Sequence, residues 1–524
     1  MMKKKFHIVL TGIIAAIVVA GCAVPTTGTV SSAPVSEAVV SETVAAEAET
    51  QEAIEEVTGE ITEINVMLAD FRGVGDKAQP IVDAVNAITE KEIGVRANVS
   101  FASSDYQNQL GLMISSNEQL DVASIMPMPP ANFSSLIANR QAMDITEYMQ
   151  NEGKETLDMM GDYLEAMSID GKIYGVPCYR NWGSGVYLIM RQDILDDLGI
   201  TEKASSVTSW TEVEEVFAAV REGSTVMPIG GNKSIAFVGG AIYSADKFED
   251  SIIYDGLGDS MNVIFTDDSG QISLLPENPD FRAAQDRVKT WREMDWVYKD
   301  STVTDDHADT LTKAGVIFSS IQTSEMGVEV AKEEGTGYKV VCVELNKNLL
   351  ASSYIDKFGL FVPVTAQEPE AAVLWINEFM TNPEMENLLI WGIEGEDYVV
   401  NDGIATFPEG IDASNVRYHE ADFLFGNYFN ALPWDGSSAD FREQAKAYLD
   451  GCELSPYLGF SVDQSEIGNV VAALNSVNME YKADILCGNY DDAKWDEYIA
   501  ALKTADVDAY IAQYQEQLDA WKAE

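Results

Sequence analysis

The sequence predicts an α/β protein built as two lobes, and three observations carry that expectation. Strand-like and helix-like segments alternate at short intervals from about residue 62 onward. The chain beyond about residue 60 is too long for one hydrophobic core. With 46% hydrophobic and 9% aromatic residues it has the material to fill more than one.

The elements follow in order. "ITEINVML" alternates Ile64, Val66 and Leu68 and predicts a first strand, with "DFRGVGDKAQ" as the loop after it. "PIVDAVNAITEKEIG" sets Ile81, Val85 and Ile88 on one helical face and stops at Gly94. "VRANVSFA" alternates again, "DYQNQLGLMISSNEQ" is a helix opened by Asp105, and "LDVASIM" is a third apolar strand. A largely parallel sheet is expected for this first lobe.

Next comes "SIDGKIYGVPCYRNWGSGVYLIM", then "RQDILDDLGI" and "SWTEVEEVFAAVREG". In the last, Ser209 and Glu212 predict a capping box, and Val213, Val216, Phe217 and Val220 a buried stripe. "NVIFTDDSGQISL" reads as a hairpin, Phe281 to Val297 as a helix, and "KAGVIFSSIQ" and "KFGLFVPV" as strands. "PEAAVLWINEFMTNPEMENLLIWGIEG" is expected to be helical up to its glycines. Near the end Trp495, Tyr498, Ile499 and Leu502 share one helical face, as do Ile511, Tyr514, Leu518 and Trp521.

The beginning of the chain has a different character. Three lysines precede an apolar run from Ile8 to Ala20, and small residues lead into Cys22, which together read as a secretory signal over residues 1–21. The run is shorter than the ~20 residues that a spanning helix needs. Val19-Ala20-Gly21-Cys22 resembles a bacterial lipobox, which implies that Cys22 becomes a lipidated first residue. Residues 22–60 hold glutamates at 37, 42, 47, 49, 52, 55, 56 and 60, with no basic residue and no aromatic. Such a segment cannot bury enough apolar surface to offset its ordering entropy, so a disordered acidic linker is expected.

Composition removes several classes of function. The formal charge is −53, with 33 basic residues against 86 acidic, a surface that repels nucleic acid. Cys178, Cys342, Cys452 and Cys487 form no C-x-x-C pair; a 452–487 disulfide is conceivable, but free buried thiols are expected. Only His307 and His419 would remain after processing and there is no H-E-x-x-H, so no metal site and no cofactor is expected. Gly183-Ser184-Gly185 is not a nucleophile elbow, "GGNKS" at 230–234 lacks Walker spacing, and "DDSG" at 267–270 is a turn rather than a calcium loop. Carboxylate pairs carry no weight for a glycoside hydrolase in so acidic a chain, and that class stands as a remote alternative.

"DGKIYGVP", "LIMRQDILDDLGI", "SWTEVEEVFAAVREG", "TNPEMENLLIWGIEGEDYVV" and "LSPYLGFSVDQSEIGNVVAALNSV" occur in one order along the chain. With the lipobox and the β-α-β-α-β opening, this order resembles the family 1 extracellular solute-binding proteins of bacterial ABC importers, in a long-chain subgroup with an extra C-terminal domain of unknown function. The resemblance implies a two-lobed periplasmic-binding-protein-like fold of type II, with hinge strands and a helical C-terminal extension. Residues 61–182 and 358–450 would form the N-terminal lobe and 183–357 the C-terminal lobe. Residues 451–524 would pack on the C-terminal lobe. It also implies a carbohydrate captured between the lobes, delivery to ABC permease subunits, and a monomer held by lipid at the extracellular face of the cytoplasmic membrane. An oligopeptide or other polar-solute receptor, or a sensory receptor, remains the alternative.

"VPCYRNWGSGVYL" would then be the first hinge crossing, along the cleft floor. Sugar binding needs flat aromatic faces and multidentate hydrogen-bonding groups, and Tyr179, Arg180, Asn181 and Trp182 supply both. In an extended strand 179 and 181 would face one way and 180 and 182 the other. Further candidates are Asp70, Phe71 and Arg72 after the first strand, Asp105 and Tyr106 at the second helix, and Ser319, Ser320 and Gln322 in the other lobe. Trp391, Glu394 and Tyr398 in "WGIEGEDY" and Trp434 in "LPWDG" complete the set, with Met126 and Met128 as adaptable cleft lining.

The lipobox yields a direct test. Cys22→Ser is expected to leave the protein unlipidated and either released or unprocessed, as read by membrane fractionation and the mass of the mature N-terminus. Normal processing with retention in the membrane fraction would contradict the lipobox reading.

Overall fold

The computed structural model describes residues 60–232, 246–250, 255–267 and 269–523. The expected leader, Cys22 and the acidic linker up to residue 59 lie outside these residues.

β1 (Thr62–Ala69) is buried on both faces. Ile64, Val66 and Leu68 enter one core, while Met67 and Ala69 enter another. α1 (Gln79–Glu92), β2 (Val95–Ala102), α2 (Tyr106–Ser115) and β3 (Val122–Ile125) follow. The first sheet has the order β2-β1-β3-β9-β4, with β4 at Val176–Pro177 and β9 at Gly359–Phe361. β1 runs parallel to β2 and β3, and β9 is antiparallel to both β3 and β4. One strand thus opposes the other four, because β9 re-enters this lobe from the other one.

The second sheet has the order β8-β5-β7-β6. It comprises β5 (Gly185–Arg191), β6 (Met227–Ile229), β7 (Ile317–Ser324) and β8 (Val340–Lys347). β5 is antiparallel to both neighbours, and β7 is parallel to β6. α3 (Trp210–Gly223) buries Val213, Val216, Phe217 and Val220 in this lobe's core. Its cap differs from the expected box. Ser209 Oγ accepts the Glu212 N–H at 3.3 Å, but the Glu212 carboxylate reaches back to the N–H of Thr208 at 2.7 Å, one residue further out.

Two predicted helices have different bounds. The helix expected over Phe281 to Val297 is α4 (Pro279–Glu293), capped by Asn278, and the chain then bridges Val297 to Ile229. The long helix after residue 369 is two, α5 (Pro369–Thr381) and α6 (Pro383–Trp391). Pro383 excludes Asn382 from helical geometry, and the Asn382 side chain caps the second helix instead.

Three lengths of chain pass between the lobes side by side. The first follows β4, and the second joins β8 to β9. The third follows α7 (Phe441–Asp450), whose Leu449 belongs to the first lobe's core. Asn348 N–H donates to the Ser184 carbonyl at 2.9 Å, and its side-chain amide to Ser184 Oγ at 2.9 Å. Leu350 donates to Glu453 at 2.8 Å, and Ser455 donates back to Leu350 at 3.0 Å. Beyond the third crossing, α8 (Gly468–Leu486), α9 (Asp492–Thr504) and α10 (Val507–Ala523) join the second lobe's core through Leu474, Ile485, Trp495, Leu502, Tyr510 and Leu518. No described helix is long and apolar enough to cross a membrane.

Candidate ligand-binding cleft

The strands β1, β2, β3 and β4 end at the edge of the first lobe that meets the second. After β1 the chain wraps around a carboxylate. Asp70 accepts the backbone N–H groups of Arg72 at 3.0 Å and Val74 at 3.1 Å through Oδ1, and of Gly75 at 3.2 Å through Oδ2. Gly73 and Gly75 have positive φ, +75° and +47°, which the wrap requires.

Asp70 also hydrogen-bonds the fully buried Glu420. Burial pushes Asp70 up, but the bonds from Glu420 and the backbone N–H groups outweigh it, leaving the carboxyl below its usual range. Burial first, and then the neighbouring Asp70, push Glu420 up to about 8. At neutral pH Glu420 is therefore the protonated donor and Asp70 the ionised acceptor.

This pair joins two segments that carry aromatic rings. Phe71 packs edge-on against Phe358 at 6.1 Å and Phe423 at 6.0 Å, and Phe358 and Phe423 lie 5.3 Å apart. Phe71 is 46% exposed, while Phe358 and Phe423 are half-buried. The result is an aromatic wall at the strand ends.

The first crossing forms the floor beside it. Asn181 Oδ1 accepts the Gly183 N–H at 3.0 Å, an Asx turn that ends the extended geometry. The expected alternation is therefore corrected, and Tyr179 and Trp182 fall on one side, 5.7 Å apart. Both are buried in the first lobe's core. Trp182 meets Tyr163 at 4.9 Å, and Tyr179 meets Phe429 at 5.0 Å. Trp182 presents no free face and does not form the expected aromatic platform. Tyr179 also pairs backbone to backbone with Gly426 and Tyr428, tying the floor to the segment that bears Phe423.

Arg180 points the other way. Its Nη1 lies 3.3 Å from Glu325, which follows β7 of the second lobe, so this pair spans the two lobes. Lys357 on the second crossing lies near enough that burial and then Arg180 push its ammonium down. Tyr428 lies over Arg442, 3.6 Å from its guanidinium carbon, and Arg442 pairs with Asp422 at 2.8 Å.

The remaining expected residues divide. Arg72 is exposed at the cleft rim and, after burial itself, helps push the His419 imidazole down to about 4. Asp105 is exposed at the same edge and accepts the Asn108 amide rather than capping its helix. Tyr106, expected to contact ligand, is instead buried, with its hydroxyl donating to the Ser124 carbonyl at 2.6 Å. Ser319 donates to the Pro228 carbonyl. Ser320 and Gln322 lie buried in a network with Asp309 and Lys332. Trp391 and Trp434 pack 4.7 Å apart around His419, and Trp391 donates to the Leu432 carbonyl. Tyr398 is buried and Glu394 exposed. Met126 is buried, and Met128 is 54% exposed.

Phe358, Phe423, Glu420, Lys357 and Tyr428 are absent from the sequence reading. The signal for most of them was present in "EADFLFGNYFN", which sets aromatics around a glycine as "CYRNWGSG" does.

The four cysteines among the described residues are free, and Cys452 and Cys487 belong to different cores. Among the described residues no three His, Cys, Asp or Glu side chains converge to hold a metal ion. A separate open groove of about 790 Å³, lined by Lys289, Arg292, Tyr490 and Lys494, lies where α4 meets the C-terminal helices, away from the strand ends.

A profile of the family described as bacterial extracellular solute-binding protein matches residues 83–392, and a domain of unknown function (DUF3502) matches 456–523. A carbohydrate ABC transporter substrate-binding protein of Streptococcus pneumoniae serotype 4 is 22% identical over 432 residues, covering 80% of this chain and 84% of that one. The crystal structure of an N-glycan transport solute binding protein (NgtS) from Streptococcus pneumoniae superposes with a TM-score of 0.68 at 19% identity, covering 88% and 98% of the two chains. An HMO-binding, ABC-transporter-associated solute binding protein from Bifidobacterium longum infantis gives 0.64 at 13%, covering 88% and 99%.

Two outcomes follow from the packing. Trp182→Ala removes a core aromatic and is expected to cost about 3–5 kcal/mol of stability, read as a fall in urea midpoint. A near-normal midpoint would return Trp182 to the ligand side. Glu420, with a folded pKa of about 8 against an ordinary 4.5, binds a proton in the folded state that the unfolded chain has released between those values. Stability is therefore expected to fall as pH rises from about 4.5 to about 8. Glu420→Gln keeps a donor for Asp70 and should flatten that slope in urea titrations across the range. An unchanged slope would show that Glu420 is not the group responsible.

Proposed function

Because the chain belongs to the bacterial extracellular solute-binding proteins, we propose that it is the receptor of an ABC importer that captures a carbohydrate between its two lobes. Cys22 would anchor the mature protein by lipid to the outer face of the cytoplasmic membrane, with the acidic linker as tether. As a monomer it would hand the solute to permease subunits.

The observation that carries the carbohydrate reading is the wall of Phe71, Phe358 and Phe423 beside the Arg180–Glu325 pair. A sugar ring has apolar C–H faces and a rim of hydroxyls, and this surface offers partners for both. The charged pair comes from different lobes, so a ligand touching both members is contacted by both halves of the protein. Closure around such a ligand is favoured because only the closed form makes both sets of contacts. The carbohydrate descriptions of the similar proteins support the same reading. Binding and release require no bond to be made or broken, so the site needs only to recognise the solute and to let it go.

A thermal-shift screen of the mature protein against sugars, oligosaccharides and peptides tests this. A ligand at ~100 times its Kd should add about 2.7 kcal/mol. With a binding saccharide in hand, Phe423→Ala is expected to weaken affinity by about 1.5–3 kcal/mol, roughly ten- to hundredfold in Kd. A shift with peptides alone would replace the carbohydrate reading by the peptide one.

A further inference from the structure

The cleft floor carries positive charge that the protein does not fully neutralise. Among the described residues, Arg442, Arg72, Arg180 and Lys357 stand around it. Arg442 is buried, and its charge is balanced by Asp422 at 2.8 Å. Arg72 is exposed on the rim after β1. Arg180, only 15% exposed at its side chain, has a single carboxylate partner, Glu325, at 3.3 Å through one nitrogen. Lys357 has no carboxylate within 4 Å among the described residues and rests over the Tyr354 ring at 5.0 Å.

Burial pushes the Lys357 ammonium down, and repulsion by Arg180 adds to it. The acid next in sequence, Asp356, is pushed by burial up to about 7, so it supplies only part of a negative charge at neutral pH. In a chain with 86 acidic and 33 basic residues, carboxylates for neutralising this pair are abundant in the sequence. The fold brings one exposed glutamate to it.

We propose that the cleft selects saccharides bearing a carboxylate, either a uronic acid or a sialic acid, whose carboxylate docks between Arg180 and Lys357. The inference rests on the carbohydrate reading of this cleft. Glu325 is 58% exposed at its side chain and bonds only one arm of the guanidinium, whereas a planar carboxylate can engage two parallel N–H groups. An incoming carboxylate can therefore replace Glu325 at Arg180 with better geometry and at the same time give Lys357 a partner. The ring that carries this carboxylate would lie against Phe358, adjacent in sequence to Lys357, and so against the aromatic wall. One wall reads the sugar face and the floor reads the acid.

The test uses the full mature chain and charge-matched pairs. Trigalacturonic acid and 3′-sialyllactose are titrated calorimetrically beside their methyl esters, which keep the ring and lose the charge. At least one acid is expected to bind tenfold or more tightly than its ester, and which one does so identifies the source of the carboxylate. Arg180→Gln and Lys357→Gln should bring that ratio toward one, and Glu325→Gln should widen it several-fold by removing the resident competitor. Lys357 makes no salt bridge among the described residues, so its variant is expected to fold even if Arg180→Gln does not. An acid-to-ester ratio near one, or a ratio unmoved by Lys357→Gln, overturns the proposal. So does a Glu325→Gln variant that binds the acid more weakly. Binding of neutral oligosaccharides such as maltotriose without any preference for acids overturns this inference and keeps the carbohydrate reading. No binding of any saccharide, neutral or acidic, overturns both.

Discussion

Three crossing segments, hydrogen-bonded to one another, are the constraint on which the rest of the molecule depends. Ser184, Asn348, Leu350 and Ser455 join them into one ribbon between two cores. These bonds set the position of each lobe along the ribbon. The fit is tight: a Cβ on Gly183 would stand 2.6 Å from Cys452 Sγ, and one on Gly185 2.7 Å from Glu344 Oε1. A side chain at either position would require these neighbours to shift, which explains glycine there better than any need for an unusual backbone angle. The short Asx turn at Asn181 follows from the same geometry. It ends the strand, sends Tyr179 and Trp182 into the first core, and leaves Arg180 directed at the other lobe.

The third crossing gives the C-terminal helices their role. They enter the second lobe's core through large aromatic and aliphatic side chains rather than forming a separate unit. Asp255 of the second lobe accepts from Ser455 Oγ at 2.5 Å, which fixes where the extension departs. The second lobe is consequently completed by residues distant in sequence, as the first is completed by β9 and the helices after it.

A buried acid pair does for the aromatic wall what the ribbon does for the lobes. Asp70 organises the loop bearing Phe71, while Glu420 sits three residues before Phe423, so one shared proton holds two sides of the aromatic wall in register. Two ionised carboxylates could not be buried together at this distance. The pair persists because one member keeps its proton. Around it, the surface of the protein is strongly acidic and the floor of the cleft is not. The chain as a whole repels anions at long range.

Local order and composition determined a good deal by themselves. The alternation of Ile64, Val66 and Leu68, the stripe of Val213, Val216, Phe217 and Val220, and the order of motifs were enough for the α/β class, the buried faces and the family resemblance. These depend on the periodicity of one segment at a time, and periodicity is visible in a string. The site was legible only in part. Arg180 lies on the first crossing, and Phe71 and Arg72 lie exposed in the loop after β1. Tyr106, Ser320, Gln322 and Trp182 proved to be packed or networked inside the lobes. An aromatic or polar residue near a strand end has the same appearance in sequence whether it faces a core or a cleft. Which way it faces is decided by an Asx turn, by a second carboxylate 350 residues away (Asp70 to Glu420), or by a ring such as Tyr163 waiting to receive it. Those partners meet through contacts remote in sequence, and only the tertiary structure brings them together.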